Sequence, residues 1–142
     1  MVQLIVGKKG KGKTKYLLDK VNEAIKSANG NIVYLDKSSK HMYELNNKIR
    51  LIDCVNYPLK NSDEFIGFIC GIISQDHDLE QMYLDSFLFN AKLEDADGAA
   101  VEECVSQLDN ISKVFNVTFV LSVSRDKEEL PESLQESIVV AL

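Results

Sequence analysis

The sequence is poor in the groups that staple small secreted or metal-bound folds. It has three cysteines, Cys54, Cys70 and Cys104, an odd number, widely spaced and with no CxxC pair, and only two histidines, His41 and His77. That pattern argues against a disulfide framework and a structural zinc site, and a reducing cytoplasm is the expected setting. Long apolar runs are missing too. The longest, Phe65 to Ile73, has nine residues, half of what a membrane span requires. The opening MVQLIVGKKG offers too short an apolar stretch for a signal peptide. Nor is there an excess of basic charge: 16 Lys plus Arg against 22 Asp plus Glu leave a net of −6. That balance argues against nucleic acid as the main partner. Arginine is scarce, with Arg50 and Arg125 alone, and no NKxD-like run is present to read a base.

What remains is 142 residues, 45% hydrophobic and 27% charged, enough for one domain with a real core. Short β-rich runs alternate with helical stretches. Val2–Val6, Asn31–Leu35, Arg50–Val55, Gln81–Leu84 and Thr118–Val123 read as strands. Helices are expected over 13–28, ended by Asn29-Gly30, over 63–74 with Ser62 as N-cap, and from Val101 to Phe115. One short helix fits within 38–47. Pro131 suits the first turn of another, and 137–142 reads as its extension or as an edge strand. Lys92 to Gly98 is the expected mobile loop. Gly67 and Gly71 are expected to pack a helix closely on the sheet, with Cys70 on the same buried face. This alternation predicts a parallel sheet with helices on both faces.

Between the first strand and the first helix stands Gly7-Lys8-Lys9-Gly10-Lys11-Gly12-Lys13-Thr14, a full match to GxxxxGK[ST]. In such a setting glycines let successive N–H groups turn inward around phosphates, and the helix amino terminus adds its positive dipole. Lys13 would reach the β- and γ-phosphates, and the Thr14 hydroxyl would ligate Mg²⁺. Lys15 and the other loop lysines add a basic rim. The chain thus resembles the P-loop NTPase superfamily. That resemblance implies a Mg²⁺-associated aspartate at the end of a later apolar strand, and Met82-Tyr83-Leu84-Asp85 fits the place. Two strand-like segments between the loop and Asp85, and the pair Asp85-Ser86, are similar to the RecA-like, additional-strand branch. The branch implies a three-layer sandwich around a mainly parallel five-stranded sheet in the order 5-1-4-3-2. Nucleotide would sit at the carboxyl ends of the strands. The chain is also similar to short bacterial P-loop proteins described only as ATPases, some labelled after the twitching-motility motor.

The resemblance also exposes a gap. The glutamates that orient water in this branch fall on Ser86 and Ser38, so no catalytic glutamate is assignable, and Asp36 and Glu44 are candidates by proximity. Ser122 and Ser124 stand where relatives keep a γ-phosphate sensor, and Arg125 where an arginine finger would act. The leading expectation is an ATP-binding protein, a slow Mg²⁺-dependent ATPase serving as a nucleotide switch or small assembly ATPase. One alternative is a small-molecule or nucleotide kinase in which Asp36 activates the acceptor, although two arginines make an arginine-rich lid hard to find. Another is a non-hydrolysing module in which ATP orders 92–98 and the loop after Ser124 for a protein partner. Charge is divided along the chain. Residues 1–60 carry 12 basic and 5 acidic groups, and residues 61–142 carry 4 and 17, so copies could associate through opposite halves.

Overall fold

The computed structural model describes all 142 residues. Its centre is one six-stranded parallel sheet: β1 (Val2–Val6), β2 (Asn31–Asp36), β3 (Arg50–Asp53), β4 (Leu79–Leu84), β5 (Thr118–Val123) and β6 (Ile138–Ala141). The helices are α1 (Lys13–Ala24), α2 (Ser62–Ser74), α3 (Phe87–Asn90) and α4 (Gly98–Phe115), with short 3₁₀ turns between elements. Spatial order is β3-β2-β4-β5-β1-β6.

That order corrects the expected 5-1-4-3-2 and its count of five strands. β5 lies between β4 and β1, and β6 closes the far edge. The central place agrees with how TFVLSV is buried. Its residues from Phe119 to Val123 are all buried, so the strand needs cover on both faces and a neighbour on each side. An edge position would leave a row of its N–H and C=O groups unpaired. β3 and β6, four residues each and partly exposed, tolerate the edges better.

Alternation along the strands separates two apolar layers. Leu4, Val33, Leu35, Met82, Leu84, Phe119 and Leu121 join Phe65 and Ile69 of α2 and Val101, Val105 and Leu108 of α4 in the larger core. Ile5, Ile32, Tyr34, Tyr83 and Val120 face the other way, under Leu17 and Val21 of α1 and under Leu45 and Ile49. Helices therefore cover both faces, as expected.

Several boundaries move. α1 stops at Ala24, and the chain then tightens through the Lys26 N–H to Glu23 and Ser27 N–H to Ala24 carbonyl bonds. Asn61, rather than Ser62, caps α2 by accepting the Glu64 N–H at 2.9 Å. The segment expected as a short helix within 38–47 forms only a 3₁₀ turn, Met42–Glu44. The segment after Pro131 is 3₁₀, and Ile138–Ala141 takes the edge-strand option. On α2, Gly67, Cys70 and Gly71 are exposed, and nothing lies within 4 Å of a Cβ built at either glycine. Close helix–sheet packing is therefore not their role; Phe65, Ile69 and Ile73 form the buried stripe instead. No helix is long and apolar enough to cross a membrane.

Candidate functional site

The loop Gly7–Thr14 leaves the carboxyl end of β1 and enters α1. Gly7, Gly10 and Gly12 have φ of 147°, 84° and 89°, values that side-chain-bearing residues rarely adopt. Gly12 is the N-cap of α1, so the helix begins with no side-chain cap, and no acidic residue stands in its first turn. The contrast lies within the same molecule. α2 is capped by Asn61 and carries Asp63 and Glu64, and α4 is capped by the Asp97 carboxylate. The amino end of α1 therefore keeps free N–H groups and an unneutralised positive dipole. Lys13 is 7% exposed, and its Nζ donates to the Lys8 carbonyl at 3.0 Å. Burial lowers its pKa, the Asp85 carboxylate raises it, and Lys9 lowers it again, with burial dominant.

Across from the loop, Asp85 directly follows β4. Its Oδ2 accepts the Tyr34 hydroxyl at 2.8 Å; its Oδ1 accepts the Ser122 hydroxyl at 2.6 Å and the Ser86 N–H at 2.9 Å. Three neighbouring strands thus meet on one carboxylate. Burial, then the Asp85 charge and hydrogen bond, push the Tyr34 hydroxyl far up, so it stays a donor. Ser86 is held at φ 52°, a strained value for serine, and its N–H also faces the Ser122 hydroxyl at 2.9 Å. The Asn90 amide of α3 donates to the Asp85 carbonyl at 3.0 Å.

Asp36, at the end of β2, differs from Asp85. It is 3% exposed, its Oδ1 accepts the Lys37 N–H at 2.7 Å, and its buried Oδ2 has no partner. Burial first, then the Asp85 charge, raise its pKa to about 6, against smaller lowering by the Lys37 N–H, His41 and the Lys37 ammonium. A buried carboxylate oxygen without a donor is costly unless a ligand supplies one.

These groups share one cleft of about 330 Å³ at the carboxyl ends of the strands, and none of its lining residues is hydrophobic. Gly10, Gly12, Lys13, Thr14, Lys15, Lys9, Asp36, Asp85, Ser122 and Ser124 line it, as do Lys37, Lys40, His41 and Ser86. A second lobe of about 240 Å³ shares Lys9, Lys37, Ser86 and Ser124 and adds Leu88, Phe89, Glu94 and Asp95. The largest cavity, about 700 Å³, lies beside α1 among Gln3, Lys20, Gln81 and Thr118, and no residue singled out in the sequence lines it.

Some sequence candidates fall outside the cleft. Gly7 serves the loop's backbone: its N–H donates to the Arg125 carbonyl at 2.9 Å. Lys8 offers its carbonyl to Lys13 while its ammonium stands 3.6 Å from Asp126, and Lys11 does not line the cleft. Glu44 pairs with His41 at 3.2 Å and does not line it either. Arg125 points elsewhere: its Nη2 donates to the Leu93, Glu94 and Ala96 carbonyls at 3.3, 3.3 and 2.6 Å. The same clamp, with Leu93 buried, ties down the 92–98 loop expected to be mobile. Tyr34, Lys37, Lys40 and His41 were not singled out from the sequence. For Tyr34 a signal existed, because it stands two residues before Asp36 and so shares its face of the strand.

No group of three or more His, Cys, Asp or Glu side chains is placed to hold a metal ion. A scan against protein-family models finds no match, and a search of curated proteins finds none either.

Proposed function

We propose that the chain is a P-loop NTPase: it binds a nucleoside triphosphate with Mg²⁺ through Gly7–Thr14 and acts as a slow Mg²⁺-dependent ATPase that works as a nucleotide switch. The observation that carries this is the amino end of α1, uncapped and free of acid, facing an entirely polar cleft beside a buried Lys13. That arrangement suits an anion held by backbone N–H groups and one ammonium. Moving Lys13 Nζ from the Lys8 carbonyl to a phosphate oxygen exchanges a neutral acceptor for a charged one.

Thr14 and Asp85 fit a hard divalent ion, which accepts hydroxyl and carboxylate oxygens. Mg²⁺, when bound, would neutralise phosphate charge. Because both Asp85 oxygens already accept donors, it would act through water around the ion while Tyr34 and Ser122 fix its orientation. The test is binding of a fluorescent ATP analogue. Lys13→Ala should weaken it at least a hundredfold, and unchanged affinity would refute the reading.

The partnerless Asp36 Oδ2 favours a second reading of the same site. A carboxylate in that state can take the proton of an attacking water, giving hydrolysis, or of an acceptor hydroxyl, giving phosphoryl transfer. The adjoining lobe under Phe89 offers such an acceptor space. Single-turnover assays with labelled ATP, with and without a panel of hydroxyl acceptors, distinguish ATPase from kinase.

A further inference from the structure

A phosphoryl group in transfer carries negative charge that a fixed cation can stabilise. Neither arginine of this chain is free to do so. Arg50 opens β3 at the amino end of the sheet, with its Nη1 3.4 Å from Asp76 Oδ2, and Arg125 is held by three carbonyls. Most lysines of the cleft are engaged as well. Lys9 stands 3.6 Å from Glu94 and Lys15 3.1 Å from Asp19, while Lys37 Nζ lies 5.4 Å from the centroid of the Phe89 ring. Lys40 meets no carboxylate, but it is exposed and costly to hold in one place.

His41 is held. It lines the cleft beyond the carboxyl end of β2, its side chain is 21% exposed, and its Nδ1 stands 3.2 Å from Glu44 Oε2. The turn that carries the pair is fixed to α1, the helix that begins at the phosphate-binding loop. The Asn22 amide of α1 donates to the Glu44 carbonyl at 2.8 Å, and its Oδ1 accepts the Asn46 N–H at 2.8 Å. With Nδ1 engaged by a carboxylate, Nε2 is the ring nitrogen left for a ligand. A phosphate oxygen requires a donor there, and an imidazole donates from both nitrogens only as the cation. The other charges lining the cleft are Asp36 after Leu35, Asp85 after β4, Lys37 and Lys40 on His41's own segment, and Lys9, Lys13 and Lys15 from the loop and α1.

We propose that His41 is the cation that meets the transferring γ-phosphoryl group, donating from Nε2 to a non-bridging oxygen while Glu44 holds Nδ1. The inference rests on the nucleoside triphosphate reading above. The oxygen of water or of an acceptor hydroxyl forms the new bond to the γ-phosphorus, and its proton goes to Asp36. The β,γ-bridging oxygen departs on the nucleoside diphosphate with the bonding electron pair. His41 keeps both its protons throughout and is a catalytic residue by charge; Glu44 is its positioning residue.

Analogue binding and single-turnover hydrolysis, measured on the intact chain, separate this proposal from the reading beneath it. Failure of the wild type to bind the ATP analogue refutes the nucleotide reading itself. With binding intact, His41→Gln should lower the rate about a hundredfold while analogue affinity stays within about threefold, because the donor acts on charge that gathers in the transition state. His41→Lys, which keeps a cation, should recover to within about tenfold of wild type. Glu44→Gln should lower the rate about tenfold and cost nothing further in the His41→Gln background. A His41→Gln rate within threefold of wild type overturns the proposal, as does a wild type that binds the analogue and never turns ATP over. So does analogue affinity that falls as far as the rate, or a His41→Lys variant as slow as His41→Gln.

Discussion

Replacing Asp36 by asparagine should make the protein more stable and less active, with a pH dependence that identifies the cause. The carboxylate is 3% exposed, and one of its oxygens has no donor. Burial and the Asp85 charge raise its pKa from 3.8 to about 6. A rise of roughly two units, at about 1.4 kcal/mol per unit, sets a ceiling of about 3 kcal/mol. The realised gain is smaller, on the order of 1–2 kcal/mol, because the new amide N–H₂ also lacks a partner. The sign follows from proton binding. With its pKa higher in the folded state, Asp36 favours folding below about pH 4 and loses that contribution as pH rises through about 6. Urea unfolding of Asp36→Asn and wild type should therefore differ most above pH 7, with the gap shrinking most of the way to zero near pH 4.

The same substitution tests the chemistry. If Asp36 accepts the proton in the reaction, single-turnover hydrolysis by Asp36→Asn falls at least a hundredfold, while the affinity for an ATP analogue holds or tightens. Tightening is expected where a negative charge is removed from a cleft that receives phosphate. Destabilisation at pH 7.5, or a gain that ignores pH, would refute the account of Asp36 as a strained buried carboxylate. Full hydrolysis in a stabilised variant would leave the energetics standing and remove the catalytic role.

Ser122→Ala deletes the 2.6 Å bond to Asp85 Oδ1, and a hydrogen bond to a charged acceptor is worth about 1.5–3 kcal/mol, read as a lowered urea midpoint. Arg125→Met keeps the stem but frees the Leu93, Glu94 and Ala96 carbonyls, so amide exchange over 92–98 should accelerate at least tenfold while hydrolysis stays within threefold. The reverse pattern, unchanged exchange with hydrolysis down a thousandfold, would make Arg125 a catalytic arginine instead.

Local pattern carried the elements well because each is a periodic run with its own stop. The expected strand cores coincide with five of the six strands, and the sixth was one of two options for 137–142. Neighbour relations were less legible. TFVLSV fits a central slot or an edge by composition, and only competition among six strands for cover puts it between β4 and β1. The same holds for α2. Its apolar run from Phe65 to Ile73 reads as buried throughout, yet a helix on a sheet buries one stripe, which leaves Gly67, Cys70 and Gly71 outside. At the cleft, Gly7–Thr14 could be read because its glycines answer a backbone demand, the positive φ that Gly7, Gly10 and Gly12 adopt. The partners of Asp85 could not, since Tyr34 and Ser122 reach it across β2 and β5, and those contacts depend on strand order. Arg125 shows the opposite hazard. Its place after β5 invites a catalytic role, but three carbonyls within hydrogen-bond distance already engage it.

Strand order also decides how the chain's uneven charge is felt. β1, β2 and β3 come from the basic half and β4, β5 and β6 from the acidic half, and the order β3-β2-β4-β5-β1-β6 interleaves them. Opposite charges are therefore not segregated along the sheet. The loops concentrate them instead. Lys9, Lys13, Lys15, Lys37 and Lys40 line the cleft against Asp36 and Asp85, five ammoniums to two carboxylates, a local excess of three. Glu94 approaches Lys9 at 3.6 Å, but both side chains are substantially exposed, so the pair is weak. At physiological salt, charges beyond about 8 Å are largely screened. An incoming polyphosphate would thus be governed by the cleft's local excess rather than by the chain's net −6. The acidic residues of the second half can raise solubility and meet partners without repelling an anion at the amino end of α1.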